Sequence, residues 1–395
     1  MKLLLPHNWQ KDLIDSVDLN NVEGFYGKLN MDLVGGGKPS NTCPFVSRQE
    51  FKRQIRKLHD KGMEFTYILN GLCLDNQELS HSTHHQLKKF LGWLQDAGVD
   101  ALTVSLPYLA GLIKKNFPEF KIGVSTLAEV DTPNKAKFWE DLGVSRITLF
   151  QPRVTRNFEL IKKIRRAVRC DLQLIANLIC LNDCPFTVQH GVLSSHASQG
   201  QHFSRGFALD YCVMMCNYLR MNDPVRIIRA NWIRPEDTQI YEGLGIDSFK
   251  LVTRGTATRH LVRIVKAYKE QNFDGNLLDL LPTPSKSISY GRTNLWWIFR
   301  FFFRPELTNI FKLEKIKRIF ADISPYVYVD NKKLNGFLIG LQDKKCASRC
   351  CDECDWCGKI ANDVMKVDAR GLERLQKEAA PIIEEVFSGR VNKYF

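Results

Sequence analysis

The sequence has no long apolar run and comparatively few acidic residues. No stretch reaches the roughly 18 consecutive apolar residues that a membrane-spanning helix needs. The apolar start, Leu3-Leu4-Leu5, stops at Pro6 and is too short for the core of a signal peptide. We therefore expect a cytoplasmic protein without a transmembrane segment. Only 43 Asp and Glu stand against 56 Lys and Arg, and this formal charge of +13 favours an anionic partner such as phosphate, RNA or an acidic metabolite.

The first apolar run is not followed by the G-x-G-x-x-G fingerprint of a dinucleotide-binding sheet. Instead, eight apolar runs alternate with amphipathic helical patterns, as in a parallel sheet that is buried on both faces. Eight such units predict a (β/α)8 TIM-type barrel over residues 1–275, although periodicity alone leaves an open doubly wound sheet as the alternative. The predicted strands are Lys2–Leu5, Gly24–Leu29, Glu64–Asn70, Asp100–Ser105, Lys121–Ser125, Arg146–Phe150, Leu172–Asn177 and Ser248–Val252. The predicted helices are Arg48–Lys61, Thr83–Ala97, Pro133–Leu142, Asn157–Ala167 and Thr258–Glu270.

The barrel pattern is interrupted once and then ends. Residues 178–247, between the seventh and eighth strands, form an insertion that is much longer than one helix requires. Loops at this end of a barrel build the active site, so we expect the insertion to be functional. Residues 276–395 form a C-terminal extension that closes with a helix at Glu373–Phe387. Its aromatic and basic segment Trp296–Phe303 either packs on the barrel or contacts a protein partner, a lipid or a hydrophobic substrate.

Cysteine is abundant, with twelve residues in a chain that we expect to be cytosolic, where thiols stay reduced. Cys180-x3-Cys184 and Cys212-x3-Cys216 have the same internal spacing. Together they supply four thiolates, the ligands of a structural zinc or of a [4Fe–4S] cluster. The spacing is longer than the usual C-x2-C of zinc sites and favours iron–sulfur, whereas the histidines of the insertion leave a mixed zinc site open. Those histidines are His190, His196 and His202, and the scattered Cys43, Cys73 and Cys170 fit small buried positions.

A second cysteine group lies in the extension. Five cysteines fall within twelve residues, which is too dense for a packed core and predicts a metal centre with four ligands and one spare thiol. Spacing does not identify the spare residue, although we expect Cys350 or Cys351, and the centre is either iron–sulfur or zinc. The group comprises Cys346, Cys350, Cys351, Cys354 and Cys357.

Several polar residues are placed to bind an anion. The run Gly35-Gly36-Gly37-Lys38 follows the second strand, and its backbone N–H groups with the lysine could cradle an anion, unless it is a plain turn. Lys250 and Arg254 lie at or beyond the end of the last strand, where barrel residues face ligands. Arg234 precedes a short helix and is a further candidate for substrate binding. These residues predict a small-molecule substrate with an anionic group.

The segment Gly245–Arg254, G-I-D-S-F-K-L-V-T-R, is followed by V-K-A-Y at Val265–Tyr268. It is similar to the segment G-x-D-S-x-K-I-E-G-R … V-K-A-Y of the collagenase-like peptidase family U32. The resemblance spans about residues 1–275. Members of this family include the UbiU and UbiV proteins of oxygen-independent ubiquinone hydroxylation and proteins that hydroxylate RNA bases. The resemblance implies one [4Fe–4S] cluster in the barrel, with the four cysteines of the insertion as its ligands.

The sequence also departs from the family pattern. Leu172, Ala176 and Val252 stand where the family carries Glu, His and Glu, so proteolysis is not expected. The C-terminal cysteine group lies outside the family core and suggests a distinct subfamily with a second cluster. We expect an oxygen-independent redox enzyme that hydroxylates an aromatic or isoprenoid-type molecule. The alternatives are an RNA base hydroxylase and a non-catalytic scaffold that delivers electrons or substrate to a partner through Trp296–Phe303.

Overall fold

Eight parallel strands form a closed barrel in the computed structural model, which describes residues 1–283, 286, 312, 316–342, 346 and 351–389. The strands follow one another around the barrel in chain order, and β1 pairs with β8 to close it, with Leu3 opposite Phe249. The predicted (β/α)8 barrel is confirmed. The strands are β1 Leu3–Pro6, β2 Val22–Gly27, β3 Glu64–Leu69, β4 Ala101–Val104, β5 Lys121–Val124, β6 Arg146–Thr148, β7 Asp171–Ile175 and β8 Ser248–Lys250.

Helices follow the strands, and side-chain caps fix where several of them begin. Ser47 accepts a hydrogen bond from the N–H of Glu50 at the start of α2, and Ser80 caps α3 in the same way. The predicted helices do not include three helices of the barrel wall, α1, α4 and α6, and two of these, α1 and α6, have only four residues each. The helices of the barrel wall are α1 Leu13–Ser16, α2 Arg48–His59, α3 His81–Asp96, α4 Pro107–Asn116, α5 Pro133–Asp141, α6 Gln151–Val154 and α7 Phe158–Ala167, with α12 Thr258–Glu270 after the last strand.

The barrel interior changes from polar to apolar along its axis. Towards the amino ends of the strands, Arg146 makes a two-pronged contact with Glu23, with Nη1 donating to Oε1 at 2.7 Å and Nη2 donating to Oε2 at 2.9 Å. Towards the carboxyl ends, Leu4, Tyr26 and Ile68 form a small apolar cluster. Side chains therefore fill the barrel, and ligand chemistry is confined to its mouth at the carboxyl ends of the strands.

The insertion between β7 and β8 is helical. The helix α8 lies between the two cysteine pairs, and α9 carries Cys212 and Cys216 on successive turns. The structure describes the whole insertion, residues 178–247, and it adds no ninth strand to the barrel. The helices of the insertion are α8 Thr187–His196, α9 Tyr211–Asn222, α10 Arg226–Arg229 and α11 Thr238–Gly243.

The described part of the extension packs against the barrel and the insertion. Its strands β9 Val327–Val329 and β10 Met365–Val367 form an antiparallel pair, with Met365 opposite Val329. The final helix contacts α9 of the insertion. The segment Trp296–Phe303 lies outside the described residues. Within the described ranges, no helix is both long and apolar enough to cross a bilayer. The helices of the extension are α13 Phe337–Gln342, α14 Cys351–Cys354, α15 Trp356–Val364 and α16 Ala369–Phe387.

Candidate functional site

Four cationic side chains gather at the mouth of the barrel, where the structure shows one carboxylate among them. Lys28 follows β2, Lys250 ends β8, and Lys38 and Arg254 lie on the adjoining loops. Lys28 is buried, and its Nζ lies 2.9 Å from Oδ2 of Asp32. The two groups are close but not well aligned for a hydrogen bond, so the contact is mainly electrostatic. With four cations facing one anion, the mouth has an excess of positive charge.

Lys250 and Arg254, two of the predicted residues, carry most of that excess. Both are buried, at 8% and 7% exposure, and neither forms an ion pair with a carboxylate in the described part of the chain. The Nζ of Lys250 lies 3.9 Å from the ring centre of Tyr26, a cation–π contact. Burial, together with the charges of Arg254 and Arg146, lowers the pKa of Lys250 to about 7. A bound anion would relieve this repulsion, so the mouth is suited to an anionic ligand.

Asp32 is held in a fixed orientation by its neighbours. Its Oδ2 accepts a hydrogen bond of 2.7 Å from the hydroxyl of Tyr67, and its Oδ1 accepts from the N–H of Gly35 at 2.6 Å. Burial and the charge of Asp32 raise the pKa of Tyr67 well above its usual value, so its hydroxyl stays protonated. The sequence analysis missed Lys28, Asp32 and Tyr67, although the Lys-x3-Asp spacing directly after the second strand was a usable signal.

The glycine run does not cradle an anion with its backbone, contrary to the prediction. The N–H groups of Gly35, Gly36 and Gly37 already donate to Asp32, to Ser198 and to Asn70, respectively. Three donors that are satisfied within the protein are not available to a ligand. Lys38 does reach the mouth, where its Nζ donates to Thr253 Oγ1 at 3.1 Å.

The insertion forms a roof, made by residues 195–198, over the glycine loop at residues 35–37. Ser195 Oγ, at the end of α8, accepts from the N–H of Leu72 at 2.8 Å, and Ser198 Oγ accepts from the N–H of Gly36 at 2.8 Å. Gly35 has φ +76°, and a Cβ atom there would lie 2.3 Å from the carbonyl oxygen of Ser195. Only glycine allows the roof to approach so closely. The segment between the two cysteine pairs therefore packs on the loops after β2 and β3, at the cationic mouth.

Cys43 also lies at this mouth. It is buried, at 7% exposure, and its thiol is within electrostatic range of Lys28, Lys38 and Tyr26. The sequence analysis took this residue for a small apolar filler, because a single cysteine in a loop carries no spacing that would indicate its surroundings.

The four predicted cysteines of the insertion cluster around Cys216. The thiol of Cys216 donates to Cys184, which lowers the pKa of Cys184 to about 7 and raises that of Cys216. Cys180 and Cys212 both lie within electrostatic range of Cys216. Burial raises the pKa of Cys180 to about 11 and that of Cys212 to about 12. The fold thus brings together two pairs that are far apart in the sequence.

A buried arginine beside this cluster fits a negatively charged thiolate centre. Arg220 is 6% exposed, and its Nη2 lies 3.6 Å from Sγ of Cys216 and donates to the carbonyl oxygen of Ile179. No carboxylate in the described residues pairs with it. Outer hydrogen bonds of this kind orient metal-binding thiolates and offset their charge. The donor set therefore suits the [4Fe–4S] cluster that the family resemblance implies.

The C-terminal cysteines also converge. Cys346, Cys351, Cys354 and Cys357 line one cavity of about 20 Å³, together with Arg229. The remaining predicted ligand, Cys350, lies outside the described residues. Desolvation raises the pKa of Cys357 to about 12. The dense spacing of these cysteines thus brings four of them to the same void.

Neither group is arranged around a single metal ion. In the parts of the chain that the structure describes, no three His, Cys, Asp or Glu side chains are placed so that they could hold one ion. Four thiolates bound to one zinc lie about 2.3 Å from it, and must therefore be nearly in contact with one another. A four-iron cluster gives each thiolate its own iron atom and keeps the thiolates farther apart.

Arg234, the third residue predicted to hold the substrate, is not at the mouth. It is 1% exposed, and its Nε and Nη2 both donate to Asp237 at 2.8 Å. Its Nη1 donates to the carbonyl oxygen of Asn331 at 2.7 Å and to Oδ1 of Asn335 at 3.0 Å. All its charge is used to join the insertion to the extension, so the predicted role in substrate binding is wrong.

The architecture defines a class of barrel proteins whose mouth is roofed by a cysteine-bearing insertion. The profile of peptidase family U32 matches residues 41–274, and the chain belongs to this family. The predicted family resemblance is thus confirmed.

Three known proteins illustrate what the chain is similar to. An uncharacterized protease of Methanocaldococcus jannaschii is 28% identical over 337 residues, which cover 85% of this chain and 87% of that protein. The tRNA hydroxylation protein P of Escherichia coli K12 is 29% identical over 145 residues, which cover 35% of this chain and 29% of that protein. A solved structure of a U32 peptidase is 23% identical and covers 64% of this chain and 93% of its own, with a TM-score of 0.48.

Proposed function

We propose that this protein is an oxygen-independent hydroxylase, which binds an anionic substrate at the barrel mouth and one [4Fe–4S] cluster on Cys180, Cys184, Cys212 and Cys216. One observation carries the proposal. The segment that covers the cationic mouth joins the two cysteine pairs, and in this proposal it brings the clustered thiols towards a substrate in the mouth. Family membership and the similarity to tRNA hydroxylation proteins support a hydroxylation-related activity.

The residues of the mouth have separable roles in this proposal. Lys250 and Arg254 hold the anionic group, because they are buried cations without a carboxylate partner in the described residues. Tyr67 keeps its proton and donates a hydrogen bond to Asp32, and this pair positions Lys28 at the mouth. The roof around Ser195 and Ser198 excludes bulk water, which strengthens these electrostatic contacts.

The reaction must balance without molecular oxygen. An oxygen donor XO converts R–H into R–OH and is itself reduced to X, so no other oxidant is needed. When bound, the iron–sulfur cluster supplies one-electron redox chemistry and a site where such a donor can be activated. The residues named above bind and orient the substrate for that step.

Two substrate classes are candidates. The cations of the mouth are deeply buried, which favours a compact anionic molecule of the aromatic or isoprenoid type. An RNA base is the second candidate, favoured by the similarity to tRNA hydroxylation proteins and by the net charge of +13.

Peptidase activity is not proposed, despite the family name. Leu172 and Ala176 are fully buried apolar residues in and beside β7, and they provide neither a carboxylate nor an imidazole. Val252 likewise follows β8 without an acidic group. The proposed scaffold role of Trp296–Phe303 stays a hypothesis from the sequence, because that segment lies outside the described residues.

The test is expression of the full chain in an anaerobic host that lacks its own members of this family. Total RNA nucleosides and the quinone and lipid extract are then analysed by mass spectrometry for species that have gained one oxygen atom. We expect such a species with the wild-type chain and none with Cys216→Ser. A modified nucleoside identifies RNA as the substrate, and a modified quinone or lipid identifies a small molecule. No oxygenated species in either fraction would contradict the proposal.

A further inference from the structure

The cavity in the extension has no part in the barrel chemistry, and its lining indicates a second cofactor. We propose that Cys346, Cys351, Cys354 and Cys357 bind a second [4Fe–4S] cluster, which connects the extension to the insertion. The four cysteines line one void, although Cys351 and Cys354 belong to a short helix, Cys357 lies at the start of the next helix and Cys346 precedes both in the sequence. This inference does not rest on the proposed hydroxylase activity.

The spacing of the four residues is typical of iron–sulfur ligands. Cys346-x4-Cys351-x2-Cys354 has the C-x4-C-x2-C spacing of plant-type ferredoxins, and Cys351-x2-Cys354-x2-Cys357 has the C-x2-C-x2-C run of bacterial ferredoxins. The four residues that line the cavity account for both patterns without Cys350. In this proposal the four described cysteines are the ligands and Cys350 is the spare thiol.

The charge around the cavity fits four thiolates. Arg156 lies within electrostatic range of Cys346 and Cys357, and no carboxylate in the described residues pairs with it. Its guanidinium is fixed over the ring of Trp232, 4.6 Å from the ring centre, and donates to the carbonyl oxygen of Ala230 at 2.9 Å. Arg220 likewise lies beside the cysteines of the insertion without a carboxylate partner in the described residues. A cation that is held rigidly without a carboxylate favours negative charge nearby.

The cavity lies where the extension meets the insertion. Arg229, at the end of α10, lines it from the insertion, and Leu341 and Trp356 line it from the extension. The indole of Trp356 packs so closely on Gly340 that a Cβ there would lie 2.3 Å from a ring carbon. A cluster in this cavity would hold α14 and α15 against α10, in the way that a structural metal site stabilises a small domain.

The test is iron and acid-labile sulfide analysis of the full chain, purified without oxygen. We expect enough iron and sulfide for two four-iron clusters. Cys354→Ser should lose half of both, Cys180→Ser should lose the other half, and the matched control Cys350→Ser should lose neither. Retention of half the iron by Cys354→Ser would also show that the barrel still folds.

Several outcomes would overturn the inference. They are undiminished iron in Cys354→Ser, loss of iron in Cys350→Ser equal to that in Cys354→Ser, zinc in place of iron at this site, and loss of all iron from both variants, which indicates one shared centre. Electron paramagnetic resonance of the reduced wild-type protein gives an independent check, because two clusters give two signals and one cluster gives one. If Cys180→Ser loses no iron while Cys354→Ser does, the barrel cluster of the proposed function fails and this second centre stands.

Discussion

The cysteines of the insertion lie on both sides of α8, one pair in the preceding loop and the other on α9, whereas the C-terminal cysteines lie within twelve residues of one another. The first group is connected to the barrel mouth through its flanking residues. Asn177, three residues before Cys180, exchanges hydrogen bonds with the backbone of Val252, near the cationic mouth. Its Nδ2 donates at 2.6 Å and its Oδ1 accepts at 2.8 Å. The second group faces α10 of the insertion. In our proposals the first group therefore serves the chemistry and the second group holds the extension in place.

The largest difference should appear in activity. Cys216→Ser should abolish formation of the oxygenated product, because Cys216 is the thiol around which the other three gather. Cys354→Ser should keep most of the activity and instead lower the melting temperature by roughly 5–10 °C, since it loosens the extension. Product analysis and thermal unfolding of the anaerobic proteins measure both effects. Equal loss of activity in the two variants would show that the second group also takes part in the chemistry.

Arg234 tests how firmly the extension is joined to the insertion. Arg234→Ala should lower the free energy of unfolding by about 3–5 kcal/mol, because it leaves the buried Asp237 without its partner. The matched control Arg166→Ala, on the exposed face of α7, should change it by less than about 0.5 kcal/mol. Denaturant unfolding measures both. A similar small change in the two variants would mean that the junction contributes little.

Lys250 tests the mouth on the side of the first cysteine group. Lys250→Gln should weaken binding of sulfate, used as a simple anion, by about 10- to 100-fold, because a charged hydrogen bond is lost. The control Lys266→Gln removes an exposed lysine of α12 that pairs with Glu270, and it should bind sulfate like the wild type. Calorimetric titration gives the affinities. An unchanged affinity in Lys250→Gln would place the anion elsewhere.

The smallest expected effect is the pH dependence of that binding. The pKa of Lys250 is lowered to about 7, so its positive charge is present below this pH and is lost above it. Sulfate affinity should therefore decrease by up to about tenfold as the pH rises through 7, and Lys250→Arg should remove the decrease, because arginine stays charged. Sulfate keeps its own charge over this range. An equal slope in the two proteins would assign the titration to another group.

The sequence was sufficient for the fold. All eight strands begin within two residues of the predicted position. Strands that are buried on both faces have continuous apolar runs, which differ from the spaced apolar residues of an amphipathic helix. Among the wall helices, α1, α4 and α6 were missed. Lys250 was found because it ends a recognisable strand, and the cysteine pairs were found because their spacing repeats.

The errors at the site have a common physical cause. Arg234 and the glycine run were assigned to the ligand from their residue types, but their donors are satisfied by other protein groups. Arg234 donates to the nearby Asp237, which the sequence does not mark as its partner, and Gly36 donates to Ser198, which is remote in sequence. Lys28 and Asp32 were missed because their burial depends on the roof formed by the insertion. Side-chain partners are set by tertiary contacts, which local patterns do not encode.

The junction at Arg234 has a consequence for how the chain can be divided. The carbonyl oxygen of Asn331 and the amide of Asn335 complete the coordination of an arginine that sits in the barrel half of the chain. A fragment ending near residue 275 would remove these two acceptors from the guanidinium and would expose the face of α9 that α16 covers. We therefore expect a protein cut at this boundary to be less stable than the full chain.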